Sequence, residues 1–65
     1  MKSKAEILRV LEDRVIDEGS QVKLARKLGV SRAFLNHVLH GKRAISTTIL
    51  DYLGYEEVML YKEKV

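Results

Sequence analysis

Three residues, Gly29-Val30-Ser31, are all that separates two stretches whose apolar residues recur at helical spacing. Before them, Leu24, Ala25 and Leu28 fall on one face of a helix running from Gln21 to about Leu28. After them, Leu35, Val38 and Leu39 do the same from Arg32 to about His40. A link this short forces two helices to cross steeply, at roughly 90–120°. Steep crossing brings the backbones close. The chain must then supply a small residue in the first helix, a glycine able to take positive φ in the turn, and aliphatic side chains where the helices touch. Ala25, Gly29, Val30, Leu35 and Val38 meet those demands in order. One glycine in a loop carries little weight; size-matched positions at fixed spacing carry much more.

The flanking segments use the same grammar. Ser3 and Glu6 form a Ser-x-x-Glu capping box that opens a first helix. Leu8, Leu11 and Val15 repeat along it, Ile7 and Ile16 widen its apolar face, and Gly19 ends it. Ser20 caps the second helix and Ser31 the third; Val30 and Leu35 stand at the two positions of a hydrophobic staple. Gly41 closes the third helix. Ile45, Ser46 and Leu50 then repeat the staple and cap, which predicts a fourth helix from Thr47 to about Leu53, ended by Gly54. The tail, "VMLYKEKV", holds β-branched and aromatic residues without a helical stripe. It predicts one short strand over residues 57–62, with Val58 and Leu60 on one side and Met59 and Tyr61 on the other. The expected fold is mainly α: four helices and a short C-terminal β-strand, in a single domain spanning residues 1–65.

A chain of 65 residues buries only about 60% of its unfolded surface. With no cysteine and only two histidines, His37 and His40, neither disulfide nor metal is expected to staple it. Stability must come from an apolar core, either alone or completed by a second subunit. The start, "MKSKAEILRVLEDRV", has charges every few residues and no unbroken apolar run, and no segment approaches a membrane span. The expectation is a cytoplasmic protein without a membrane association.

Charge is distributed unevenly. Ser20 to Arg43 contains Lys23, Arg26, Lys27, Arg32, Lys42 and Arg43 and no acid, a charge of +6, whereas the rest of the chain holds all nine acids and sums to −3. Duplex DNA presents one negative charge about every 1.7 Å along its axis, and a carboxylate on a surface that meets it would repel it. A helix pair with a purely structural role normally mixes both signs on its solvated face. Catalytic arrangements are not visible: there is no Gly-rich phosphate loop, no metal-ligand spacing and no nucleophile beside a base. Glu12–Asp13, Asp17–Glu18 and Glu56–Glu57 are neighbours that diverge on a helix or strand and read as solvated. No enzyme, cofactor or small-molecule ligand is expected.

The stretch "QVKLARKLGVSRAFLNHVLH", extended through "GKRAIS", resembles the helix-turn-helix of the phage repressor and Cro-like family, also called the XRE family. The resemblance is specific from Ser20 to about Ser46, with the helix-turn-helix at residues 21–39, and looser over the whole chain. It implies a lambda-repressor-like helical domain that binds double-stranded DNA and regulates transcription. A strand-like tail in place of a fifth helix is similar to the small Cro-like members.

The resemblance places the start of the third helix in the major groove, which assigns base contacts to Arg32, Ala33, Asn36 and His37, spaced i, i+1, i+4, i+5. Arg32 suits a bidentate contact to guanine, Ala33 a thymine methyl, and Asn36 an adenine or a phosphate. His37 suits a base acceptor or a phosphate. Phosphate contacts are expected from Ser20 and Gln21 at the second helix, where Gln21 also braces the third, from Ser31, and from His40, Lys42 and Arg43 beyond the third helix. Lys23 and Lys27 lie on the outer face of the second helix and read as solubilising charges. Phe34 either packs against the fourth helix or lies near the sugar–phosphate wall, with packing preferred.

A lone strand cannot satisfy its own backbone, and Met1 and Lys2 leave almost nothing to pair with before the first cap. The expected neighbour is therefore the same strand of a second molecule, with Val58, Met59, Leu60 and Tyr61 forming an antiparallel homodimer seam about a two-fold axis. Either Val58 and Leu60 or Met59 and Tyr61 would face the helices, and Tyr52 and Tyr55 would cover the edges. The implied function is a dimeric repressor reading a near-palindromic operator. The alternative is an antitoxin-type interaction module that also binds DNA. Only about ten residues follow Gly54, little for a partner-binding segment.

Overall fold

A computed structural model describes residues 2–57 and 60–64 of the chain. Four helices, α1 (Lys4–Glu18), α2 (Gln21–Leu28), α3 (Arg32–Leu39) and α4 (Thr47–Leu53), are followed by two short strands, β1 (Tyr55–Glu57) and β2 (Tyr61–Glu63). Each helix starts at a serine whose Oγ accepts a backbone N–H three residues on: Ser3, Ser20, Ser31 and Ser46. Each such bond satisfies one of the donors that a helix start leaves open. At α1 the box is reciprocal, because the Ser3 N–H donates to Glu6 Oε1 at 3.1 Å. That backbone bond, with the Ser3 hydroxyl, holds the Glu6 carboxyl below its ordinary value. No described helix is long and apolar enough to cross a membrane.

The turn between α2 and α3 has the geometry its length demands. Gly29 takes φ +74°, and the Val30 N–H reaches back to the Ala25 carbonyl at 3.1 Å. Nothing lies within 4 Å of where a Cβ on Gly29 would sit, so a side chain there meets backbone strain and no clash. Gly29→Val is expected to destabilise the domain by about 1–2 kcal/mol, visible as a thermal midpoint several degrees lower. Gly29→Asn should cost less, because asparagine tolerates the left-handed region. Equal melts for glycine and valine would remove the turn geometry from the account.

The core is built where the four helices meet. Ile7, Leu11, Leu24, Leu35, Val38 and Ile49 are fully buried, with Ala25, Leu28, Ile45, Leu50, Tyr55 and Tyr61 around them. Val30 and Phe34 pack against this cluster. Phe34 is therefore a packing residue. With Leu35 and Val38 directed inward, α3 packs on α1 and α2 and leaves Arg32, Ala33 and His37 exposed. Ile16 departs from the expected pattern: it is 75% exposed. At 3.6 residues per turn it lies roughly 140° around the helix from Leu11, so it belongs to a different face from the buried stripe.

The tail also differs from the single strand expected over 57–62. β1 and β2 pair antiparallel, Tyr55 with Glu63, Glu56 with Lys62 and Glu57 with Tyr61. The N-terminus does pair: Lys2 and Tyr61 exchange two backbone hydrogen bonds, at 2.7 and 2.9 Å. The ladder sought from a second molecule is thus supplied within the chain, by Tyr55–Glu57 on one side and Lys2 on the other. Tyr61 faces the core, and its hydroxyl donates to Glu57 Oε2 at 3.2 Å. Burial first, then the Glu57 charge, pushes the Tyr61 phenol above its ordinary value. Leu60 is 46% exposed, Tyr55 joins the core instead of covering an edge, and Val58 and Met59 lie outside the described residues.

Candidate nucleic-acid interface

Arg32, Ala33, Asn36 and His37 line one shallow hollow of about 280 Å³ on the outer side of α3. Helical spacing brings them together: residues i, i+1, i+4 and i+5 share one face. Ser31 stands at the N-terminus of α3, its Oγ 3.0 Å from the Phe34 nitrogen. Ser20 does the same at α2, 3.2 Å from the Lys23 nitrogen. Both helices lack an acid in the first turn, so no carboxylate of their own opposes an anion at their backbone N–H groups and positive dipole ends.

Gln21 links the two helices. Its Oε1 accepts a hydrogen bond from Asn36 Nδ2 at 3.3 Å, as the bracing role expected of it requires. In this arrangement Asn36 donates and Gln21 accepts. Asn36 retains one Nδ2 hydrogen and its Oδ1 acceptor for a ligand, and Gln21 retains both Nε2 hydrogens. Gln21 also borders a second hollow of about 320 Å³ with Glu12, Val15, Ile16, Leu39 and His40. Asn36 lines the first hollow and Gln21 the second, so the hydrogen bond between them links the two. Lys42 and Arg43 follow in the exposed turn after α3, where Lys42 N–H bonds the His37 carbonyl at 2.8 Å.

Most bases of the acid-free segment are uncommitted. Among the described residues, Lys23, Arg26, Arg32, Lys42 and Arg43 enter no ion pair. Lys27 is the exception, and its role was not legible in the sequence. Its Nζ lies 2.6 Å from Glu18 Oε1 and 5.7 Å from the centre of the Tyr52 ring. The Glu18 carboxylate, as hydrogen-bond acceptor and then as charge, holds the Lys27 ammonium above its ordinary value. Lys27 thus ties α2 to the end of α1 and to α4. Nine residues and a turn separate the ion pair, and no local periodicity signals such a contact. Among the described residues no group of three His, Cys, Asp or Glu side chains is placed to hold a metal ion.

A turn of three residues between capped helices, an outward face carrying Arg, Asn and His, and a run without acids from Ser20 to Arg43 define a DNA-binding helix-turn-helix domain. A family model described as helix-turn-helix, of the kind designated HTH_3, matches residues 18–51, just over half of the chain. The chain belongs to this family, the XRE-type helix-turn-helix regulators. Comparison with curated proteins and with solved structures gave no significant match.

Proposed function

We propose that this DNA-binding regulator is a dimeric, sequence-specific repressor that lays α3 in the major groove of a near-palindromic operator. The observation that carries the reading is the gathering of Arg32, Ala33, Asn36 and His37 in one exposed hollow, bordered by positive helix ends and unpaired bases. Arg32 reads guanine O6 and N7. Asn36 uses its remaining Nδ2 hydrogen for adenine N7 and its Oδ1 for the adenine amino group. Ala33 touches a thymine methyl, and His37 donates to a base or phosphate oxygen. Gln21 and the N-terminal amides at Ser20 and Ser31 hold phosphates, as do His40, Lys42 and Arg43. These contacts set register, and the base contacts set sequence.

The dimer is read from the tail. β2 has Lys2 beside it, but β1 has no strand along its other side among the described residues. An unpaired edge invites another chain, and Leu60, just before β2, is exposed apolar surface. Val58 and Met59 belong to the same proposed seam, whereas Tyr61 contributes from within its own core. Two α3 helices related by a two-fold axis would enter successive grooves about 34 Å apart.

Selection of bound sequences from random duplex DNA tests the whole reading. The expected product is a near-palindrome with half-sites one helical turn apart. Sedimentation should show a dimer that dissociates on dilution and on Leu60→Glu. Enrichment of a lone half-site by a protein monomeric at every concentration would overturn the dimer, and absence of any enrichment would overturn sequence-specific reading.

A further inference from the structure

His40 caps α3 with its ring as well as its backbone. Its Nδ1 lies 2.8 Å from the Asn36 carbonyl oxygen, and its backbone N–H bonds the same oxygen at 3.1 Å. A carbonyl only accepts, so Nδ1 carries the hydrogen. In the neutral ring Nε2 is then a bare acceptor, which a phosphate oxygen repels. Protonation places a hydrogen on Nε2 and a positive charge on the ring without disturbing the Nδ1 bond. The carbonyl end of α3, where the ring sits, favours a cation.

The surroundings point the same way. Glu12 of α1 and Gln21 of α2 line one hollow with His40, and the other lining residues, Val15, Ile16 and Leu39, do not titrate. On its own segment the titratable or charged neighbours are His37, Lys42 and Arg43. With a neutral His40, the Glu12 carboxylate is left to oppose a phosphate arriving beside Gln21. A protonated His40 supplies the opposing charge in the same hollow.

We propose that DNA binding by this chain is proton-linked through His40, whose protonated ring grips a backbone phosphate through Nε2–H and whose neutral ring does not. The proposal rests on the reading that this surface meets duplex DNA. The sign follows from linkage. Phosphate favours the charged ring, so the added affinity is complete on the acid side and is lost as pH rises through the titration of His40. Histidine side chains titrate between about pH 5 and pH 8, above the usual range of exposed carboxylates, so the window separates the two causes.

Because phosphate contacts are independent of sequence, the probe is an arbitrary duplex of roughly 20 base pairs, long enough for one protein with its flanking phosphates. Affinity is measured at fixed low ionic strength at about pH 5.5 and about pH 8. The wild type should bind roughly threefold to fivefold tighter in acid, the worth of one exposed charge contact. Its log–log salt slope should steepen by about 0.9. His40→Gln should lose that change, and His37→Gln should keep the share that His40 carries. In the unmutated protein, the His40 ring resonances should titrate at higher pH when the duplex is present. A His40→Gln protein with the wild-type pH dependence, or a His40 titration unmoved by DNA, overturns the proposal. Binding at both pH values without any pH dependence sinks proton linkage and leaves the DNA reading standing. No binding at either pH sinks both.

Discussion

Leu35→Ala is expected to remove most of the stability of this domain. Leu35 is fully buried at the centre of α3, the helix that packs on α1 and α2. Replacing a buried leucine by alanine costs about 2–5 kcal/mol, through lost transfer energy and the cavity left behind. Small domains have little to spare: at about 0.05–0.15 kcal/mol per residue, a chain of this length has only a few kcal/mol in total. The thermal midpoint should fall by more than about 10 °C, and DNA binding should fall with it, because Leu35 is the larger of the two fully buried side chains of α3. Leu35→Met conserves volume and should cost less than about 1.5 kcal/mol. An alanine variant that melts like the wild type would mean that α3 is not held from beneath as described.

Arg32→Ala and Lys42→Ala should divide sequence reading from backbone attraction. Both side chains are exposed and neither is in an ion pair among the described residues, so neither truncation should alter the melt by more than about 0.5 kcal/mol. Arg32 lines the hollow on α3; its loss should cost roughly 1–3 kcal/mol at the selected site and relax preference at one base position. Lys42 lies beyond the helix, and its loss should weaken selected and random DNA alike and reduce the salt slope by about one unit. A loss for Arg32→Ala that is equal on all sequences would take the base-reading role from it.

Much of the interface was legible because its determinants are local. Ser20 and Ser31 cap their helices through bonds spanning three residues. Arg32, Ala33, Asn36 and His37 share a face because spacings of one, four and five residues do so on any α-helix. Exclusion of acids from Ser20 to Arg43 is a count, and the structure turns it into a strip of surface. Less legible was how that strip is divided. Lys27 belongs to the same basic count as Lys23, yet it faces Glu18 and Tyr52, and only the packing of α2 against α1 and α4 tells them apart.

The sequence by itself determined the four helices, their serine starts, the tight turn at Gly29 and the stripe that becomes the core, because each is an interaction among residues within about one turn of one another. Tertiary structure alone decided contacts between distant residues: Gln21 with Asn36, fifteen positions on, and Lys2 with Tyr61 across nearly the whole chain. The tail shows the reason most plainly. Alternation says that Leu60 and Tyr61 face opposite sides, but period two is blind to which side is the core. That choice, and the hairpin that carries it, came from what lay opposite: Lys2 and β1, both of which the local pattern leaves out.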